Sequence, residues 1–100
     1  MSPAYDEHNR KHRRISILLM LEGSEAYRAN DSLIADVVND FGIVSTRDQV
    51  RTELLWLKEQ GLVTVKEIAG VMVATMTERG SEIAGGRASH PSIARPKPKG

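Results

Sequence analysis

The chain of 100 residues contains no cysteine and few aromatic residues: one tryptophan, two tyrosines and one phenylalanine. The absence of cysteine excludes disulfides, thiolate metal sites and a cysteine nucleophile. No apolar run approaches the roughly 20 residues that a membrane-spanning helix needs. Residues 10–21 imitate a signal peptide, but Asp6 and Glu7 precede them and no small-residue cleavage site follows. The sequence therefore predicts a cytoplasmic protein of one domain with one small core.

Charge is distributed unevenly, although the formal net charge is only +1. Residues 15–86 carry eleven acidic and six basic residues, so the body of the chain is acidic. Residues 1–14 and 87–100 are basic, and the second of these segments contains no acidic residue. An acidic body has no uniform positive field with which to hold a polyanion, so the net charge does not indicate the partner.

The spacing of apolar residues predicts three core helices. Residues 6–22 form the first, and its second half is apolar on nearly every side, which favours a buried helix or one shared with a partner. The second helix follows a short strand at residues 27–29 and begins at Asn30 or Asp31. The third begins at Ser45, in a run that resembles a capping box. The residues expected to face the core from the second and third helices are Ile34, Val37, Val38, Phe41, Val50, Leu54 and Leu57.

Two short runs rich in β-branched residues, 62–67 and 71–76, follow the third helix and predict a β-hairpin with residues 68–70 as its loop. Thr77 is placed to cap a final short helix that ends near Ala84. The predicted fold is therefore α+β and mainly α.

The chain divides into two regions of different character. Residues 1–86 carry all the predicted helices and strands and form one domain, with an ordered core over about 5–86. Residues 87–100 contain three of the four prolines among basic and small residues. Because such a composition supports neither a core nor a continuous helix, we expect a disordered basic tail there.

The predicted elements follow the order of a helix-turn-helix domain with a wing: two helices, a short connection, a third helix and a hairpin. The run Leu54-x-x-Leu57-x-x-x-Gly61-Leu62-Val63, followed by Met76-Thr77-x-x-Gly80, resembles the end of the recognition helix and the wing in winged-helix regulators of the ArsR and MarR kind. The resemblance covers about residues 10–84. It implies a winged helix-turn-helix fold with three core helices, a two- or three-stranded wing sheet and a short C-terminal helix.

A narrower resemblance is carried by the run Ser45-Thr46-Arg47-Asp48-Gln49-Val50-Arg51-Thr52, with Trp56-Leu57 and Gly61-Leu62-Val63-Thr64-Val65. These residues are similar to those of small winged-helix proteins of Mu-like phages and prophages, and so is the basic C-terminus. This second resemblance implies a phage or prophage setting more than a particular activity.

The exposed side of the third helix carries side chains that can read base edges in the major groove. Arginine can bond guanine through two hydrogen bonds, and glutamine can do the same for adenine. We therefore predict a noncatalytic DNA-binding protein, a transcriptional regulator of phage or prophage origin that reads the major groove with residues 45–60. The predicted DNA contacts are Thr46, Arg47, Gln49, Arg51, Thr52 and, on the wing, Lys66. The predicted phosphate contacts are Arg10, Lys11, Arg13 and Arg14.

Other features favour a protein-interaction module on the same scaffold, with little or no DNA binding. The predicted wing has one basic residue, Lys66, whereas a wing that grips DNA usually carries more. Arg47 and Arg51 could pair with acidic neighbours. Leu55 and Trp56 lie on the outer side of the third helix and form a candidate interface, although Trp56 packed against the wing is the plainer interpretation.

The sequence contains no motif that carries catalysis or binds a cofactor. It has neither a glycine-rich phosphate loop nor a Gly-x-Ser-x-Gly elbow. His8 and His12 have the spacing of a metal-binding pair, but a solvated polar face is the plainer interpretation. We therefore expect no enzyme activity, no cofactor and no metal. The expected partners are double-stranded DNA, a second copy of the chain or another protein, and not a membrane.

Overall fold

A computed structural model describes residues 3–96 and shows an α+β fold that is mainly helical, as the sequence predicts. Within this range the chain forms four α-helices and one three-stranded antiparallel sheet. A short 3-10 turn at Glu25–Tyr27 precedes the first strand. The elements are α1 (Pro3–Glu22), β1 (Arg28–Asn30), α2 (Asp31–Asp40), α3 (Arg47–Glu59), β2 (Val63–Ile68), β3 (Val71–Met76) and α4 (Glu78–Ala84).

Side-chain caps fix where the helices begin. Asn30 caps α2 by accepting a backbone hydrogen bond of 2.7 Å. The N-cap of α3 is Thr46, one residue later than the predicted Ser45, because Thr46 and Gln49 form the capping box through reciprocal side-chain to backbone bonds. Ser45 is buried, and its hydroxyl accepts a hydrogen bond of 2.6 Å from Nε of Arg13. Its side chain therefore ties α1 to the start of α3.

Glycines end the second and third helices, as predicted. Gly42 and Gly61 have φ angles of +87° and +75°, which residues with a side chain rarely adopt. Thr77 caps α4 by accepting from the backbone N–H of Gly80, and α4 ends at Ala84 as expected.

Strand β3 lies at the centre of the sheet, between β1 and β2. Ile68 pairs with Val71, so the hairpin loop contains two residues rather than the three expected. Both of them, Ala69 and Gly70, have positive φ, the backbone geometry that matches the twist of a two-residue hairpin. The hairpin therefore closes tightly beside the first turns of α3.

The core gathers the second half of α1 with α2, α3, α4 and the sheet. Residues 15–18, 20 and 21 are buried, so elements of the same chain cover most of the apolar half of α1. Leu19 remains exposed. The predicted core positions Ile34, Val38, Val50, Leu54 and Leu57 are all fully buried.

Phe41 was expected in the core, but its side chain is 52% exposed. It occupies the C-cap position of α2, where ψ is near 0° and the chain leaves the helix. The periodicity that places Val38 inside therefore no longer applies to Phe41.

The segment after α4 differs from the disorder expected for residues 87–100. Residues 87–96 run in turns and bends against α1. Ile93 is only 5% exposed and joins the core, and Nη1 of Arg14 donates to the carbonyl of Ser92 at 2.9 Å. One buried apolar side chain and these hydrogen bonds hold a segment whose composition resembles a linker. Residues 97–100, also expected to be disordered, lie outside the described part of the chain.

Candidate nucleic-acid interface

The two arginines on the first turns of α3 converge on one buried carboxylate. Nε of Arg47 lies 3.1 Å and Nε of Arg51 lies 3.5 Å from Oδ2 of Asp31. Asp31 is the first residue of α2, and its side chain is completely buried. In the sequence Asp31 is a candidate helix cap only, and no local pattern marks it as the partner of both arginines.

Asp31 is held in its charged form. Burial of the carboxyl raises its pKa, but Arg47 and the backbone N–H groups of Met72 and Ser32 together lower it more. The pKa of Asp31 consequently lies below its ordinary value. A buried ionised carboxylate must be paired, so Asp31 fixes where the neighbouring guanidinium groups can lie.

The hairpin contacts the outer part of the same arginines. Nη2 of Arg51 lies 3.0 Å from Oε1 of Glu67, and Nη2 of Arg47 donates to the carbonyl oxygen of Gly70 at 3.2 Å. The side chains of Arg47 and Arg51 nevertheless remain 46% and 27% exposed. The start of α3 and the hairpin therefore meet at one partly exposed arginine pair, in which each guanidinium already has partners.

The other predicted base-reading residues of α3 are exposed, although each has a local bond. Thr46 and Gln49 form the capping box, in which Oε1 of Gln49 accepts from the Thr46 N–H at 2.9 Å. A two-bond contact to adenine would use that same Oε1 together with Nε2. The hydroxyl of Thr52 donates to the carbonyl of Asp48 at 3.0 Å. Gln49 and Thr52 line a cleft with Arg10 of α1, whereas Arg47 and Arg51 face the hairpin, so the predicted base-reading residues lie on two different sides of α3.

Lys66 does not lie with this group. It is exposed on β2, next to Glu67. Because successive side chains of a strand point to opposite faces, and Glu67 points toward Arg51, Lys66 points away from the arginines. The hairpin therefore presents its acidic residue, not its basic one, to α3.

Two of the four residues expected to contact phosphates lie in the interior. Arg13 and Arg14 are 4% and 7% exposed. Nε of Arg14 bonds Oε1 of Glu53 at 2.8 Å, while Nε of Arg10, whose side chain is half exposed, bonds Oε2 at 3.1 Å. Lys11 lies 3.8 Å from Glu7 on the same helix. Glu53 is itself 2% exposed, and no local pattern in the sequence marks it as the partner of α1.

The guanidinium of Arg13 bonds the connection between α2 and α3. Besides its bond to Ser45, its Nη2 donates to the carbonyl of Val44 at 3.3 Å. Burial lowers the pKa of Arg13 from its ordinary value, more than the negative charge of Glu53 raises it. A buried guanidinium with these partners does not reach a phosphate on the surface.

The two residues of the candidate protein interface differ in how far they are buried. Leu55 is 44% exposed. Trp56 is partly buried, because the guanidinium carbon of Arg14 lies 3.7 Å from its ring centroid and the His90 ring meets it nearly at right angles, with centroids 5.2 Å apart. Helix α1 and the C-terminal segment thus cover the tryptophan, and Leu55 alone of the pair faces outward.

Over residues 3–96, no cluster of three or more histidine or acidic side chains could hold a metal ion. The helices in the same range include none that is both long and apolar enough to cross a membrane.

The fold and the site define a small, mainly helical α+β protein in which two arginines of the third helix are paired with carboxylates of the second helix and the hairpin. Over 71 residues, the chain is 42% identical to the uncharacterized protein gp26 of Escherichia phage Mu, which covers 71% of this chain and 74% of that protein. The chain therefore belongs to the family of phage Mu gp26. It is also 42% identical over 64 residues to an uncharacterized protein of Haemophilus influenzae, covering 63% of each chain. No protein-family model matches the chain, and no solved structure gives a significant match.

Proposed function

We propose that this chain is a winged helix-turn-helix protein that binds double-stranded DNA without catalysis, as a transcriptional regulator of phage or prophage origin. In this proposal α2 and α3 form the helix-turn-helix, and β2 and β3 form the wing. Strand β1 completes the wing sheet, while α1 and α4 support it from the core. The order of the elements supports the fold assignment, and membership of the phage Mu gp26 family supports the phage setting.

The observation that carries the proposal is the pairing of Arg47 and Arg51 with the buried carboxylate of Asp31. An arginine held through Nε is already ordered, so less side-chain entropy is lost when its terminal nitrogens meet a base. The N-terminal turns of a recognition helix are also the part that contacts base edges in helix-turn-helix proteins. Arg47 and Arg51 are therefore the proposed guanine-reading residues, and Thr46, Gln49 and Thr52 are the further proposed base contacts.

Phosphate contact is proposed for a smaller set of residues than the sequence suggested. Arg10 and Lys11 keep part of their side chains exposed on α1 and can contribute to a salt-dependent, sequence-independent attraction. Lys66 can do the same from the hairpin face that points away from the arginines. Arg13 and Arg14 are left out of the interface because internal partners hold them.

An amide chemical-shift titration with a mixed-sequence DNA duplex, at low and at moderate salt, tests the proposal. We expect the shifts to concentrate at residues 46–52 and to persist in moderate salt. Shifts confined to residues 10–14 and 87–96 that vanish with added salt would reduce the contact to nonspecific attraction. The absence of any shift at low salt would contradict DNA binding.

A pair of matched double variants shows whether these arginines carry the effect. Replacing Arg47 and Arg51 by glutamine should abolish the shifts in residues 46–52 that persist in moderate salt. The free variant must keep the dispersed amide spectrum of the folded chain, because Asp31 loses both charged partners. Replacing Arg28 and Arg79, which are exposed on β1 and α4, removes the same charge from elsewhere and should leave the shifts in place. Equal losses in both variants would assign the binding to net charge alone.

A protein-interaction module on the same scaffold is the second candidate, and the exposure of Leu55 on α3 favours it. A second copy of the chain is the partner that can be tested directly. Sedimentation velocity should then show a dimer that Leu55→Ser abolishes without changing the urea midpoint of unfolding. A wild-type chain that stays monomeric over a wide concentration range would exclude the homodimer.

A further inference from the structure

Arg51 lies between two carboxylates with very different surroundings. Its Nε faces Asp31, whose side chain is completely buried, and its Nη2 faces Glu67, whose side chain is 58% exposed. Asp31 is a fixed partner, because removing its arginines would leave an unpaired charge in the interior. Glu67 is a replaceable partner, because an exposed ion pair contributes little to stability and is weakened by salt.

The difference in exposure between the two carboxylates determines how the net charge of the site can change. Asp31 and Glu67 together neutralise Arg47 and Arg51, so the site as it stands offers no net positive charge. If the Glu67 carboxylate moves away, the remaining three groups carry one positive charge. The exposed carboxylate therefore controls how attractive this surface is to an anion.

We propose that Glu67 is a built-in competitor of DNA for Arg51, an inference that rests on the proposed DNA-binding function. The Glu67 carboxylate accepts the hydrogen bond from Nη2 of Arg51 that a phosphate oxygen or a guanine acceptor would otherwise accept. DNA must displace it, and the like charges of phosphate and Glu67 favour that displacement once the duplex is close.

This competition favours a specific site over random DNA. A guanine placed to accept hydrogen bonds from Nη1 and Nη2 of Arg51 replaces the hydrogen bond lost from Glu67 and adds a second one. A duplex that only brings phosphates nearby replaces it in part, yet meets the same repulsion from Glu67. Glu67 therefore weakens binding to random sequences more than binding to a sequence that satisfies Arg51.

The test compares Glu67→Gln with Glu59→Gln, which removes the same charge from an exposed position at the far end of α3. The probe is a fluorescently labelled mixed-sequence duplex of 20 base pairs, titrated at several salt concentrations. We expect Glu67→Gln to bind about three- to tenfold more tightly than the wild-type chain, and Glu59→Gln to change the Kd by less than about twofold. The salt dependence should also become steeper for Glu67→Gln, by about one released counterion.

Each other outcome is decisive. Equal gains for both variants would mean that only net charge matters and would overturn the role of Glu67, and so would a Kd that Glu67→Gln leaves unchanged. Weaker binding by Glu67→Gln, with an unchanged urea midpoint, would show that Glu67 positions Arg51 for DNA instead of competing with it. If neither the wild-type chain nor Glu67→Gln binds the duplex, the proposed function fails, and the inference fails with it.

Discussion

The carboxylate of Glu53 lies 2.8 Å from Nε of Arg14, and both side chains are more than nine-tenths buried. Arg10 bonds the second oxygen of the same carboxylate from one turn earlier on α1. The Arg14 guanidinium also covers the face of Trp56, one turn after Glu53 on α3. One acidic residue of α3 therefore fastens the helix that carries the candidate site to α1.

Glu53→Gln should destabilise the fold. The substitution leaves the buried guanidinium of Arg14 without its charged partner, while Arg10 can turn to solvent. We expect a loss of about 3 kcal/mol in the free energy of unfolding, within the range measured when one partner of a buried ion pair is removed. Urea denaturation followed by Trp56 fluorescence measures it.

Glu59→Gln on the exposed end of α3 is the control for Glu53→Gln and should change the free energy of unfolding by less than about 0.5 kcal/mol. Equal effects of the two substitutions would contradict a special role for the buried ion pair.

Asp31 should make stability depend on pH in the acid range. Its pKa is lowered in the folded protein, so the unfolded chain binds a proton more readily. The resulting stabilisation is complete above the ordinary pKa of 3.8 and is lost as the pH falls from there through the lower folded pKa. Asp31→Asn lacks this contribution.

Urea unfolding of the wild-type chain and Asp31→Asn at a series of pH values separates this effect from that of the other carboxylates. We expect the wild-type chain to be more stable by about 1–3 kcal/mol at pH 6, with the difference shrinking below about pH 4. A difference that stays constant down to pH 2 would contradict a lowered pKa for Asp31.

Arg51→Ala should impair DNA recognition selectively. On a sequence selected from a random duplex library, we expect a loss of about 1–3 kcal/mol in binding free energy, and a much smaller loss on random DNA. Arg79→Ala, an equal charge change on exposed α4, should affect both duplexes slightly and alike. Equal losses for Arg51→Ala on the two duplexes would make Arg51 a phosphate contact.

Ile93→Ala tests whether the C-terminal segment belongs to the core. Because Ile93 is 5% exposed, we expect the substitution to lower the free energy of unfolding by about 2 kcal/mol. Arg95→Ala, at an exposed position in the same segment, should have almost no effect. Urea denaturation measures both, and identical stabilities of the two variants would favour the disorder that the composition suggests.

Local patterns predicted the helices and the hairpin well. The stripe Val50, Leu54 and Leu57 is buried as its spacing requires, and Gly61 ends α3 with a positive φ. Periodicity and chain termination depend on residues within one or two turns of each other, so the sequence displays them directly. The error at Phe41 arose where the helix ended and its period stopped applying.

The partners of the charged residues could not be predicted in the same way. Arg14 and Glu53 are 39 residues apart, and Arg13 and Ser45 are 32 apart. A basic run such as residues 10–14 looks the same in sequence whether it faces solvent or a buried carboxylate. The packing of α1 on α3 decided which of these side chains lie inside.

The local residue pattern specifies the elements of this protein, their order and most of the core, because these follow from periodicity, capping and turn geometry. It also placed Arg47 and Arg51 on the outer side of α3. The packing of the elements brings Asp31 beneath them and Glu67 against Arg51, since those contacts join residues 16 to 20 positions apart across the α2–α3 and α3–β2 connections. The packing of α2, α3 and β2 against one another determines how exposed those arginines are and which carboxylates neutralise them. No local pattern in the sequence indicates that packing.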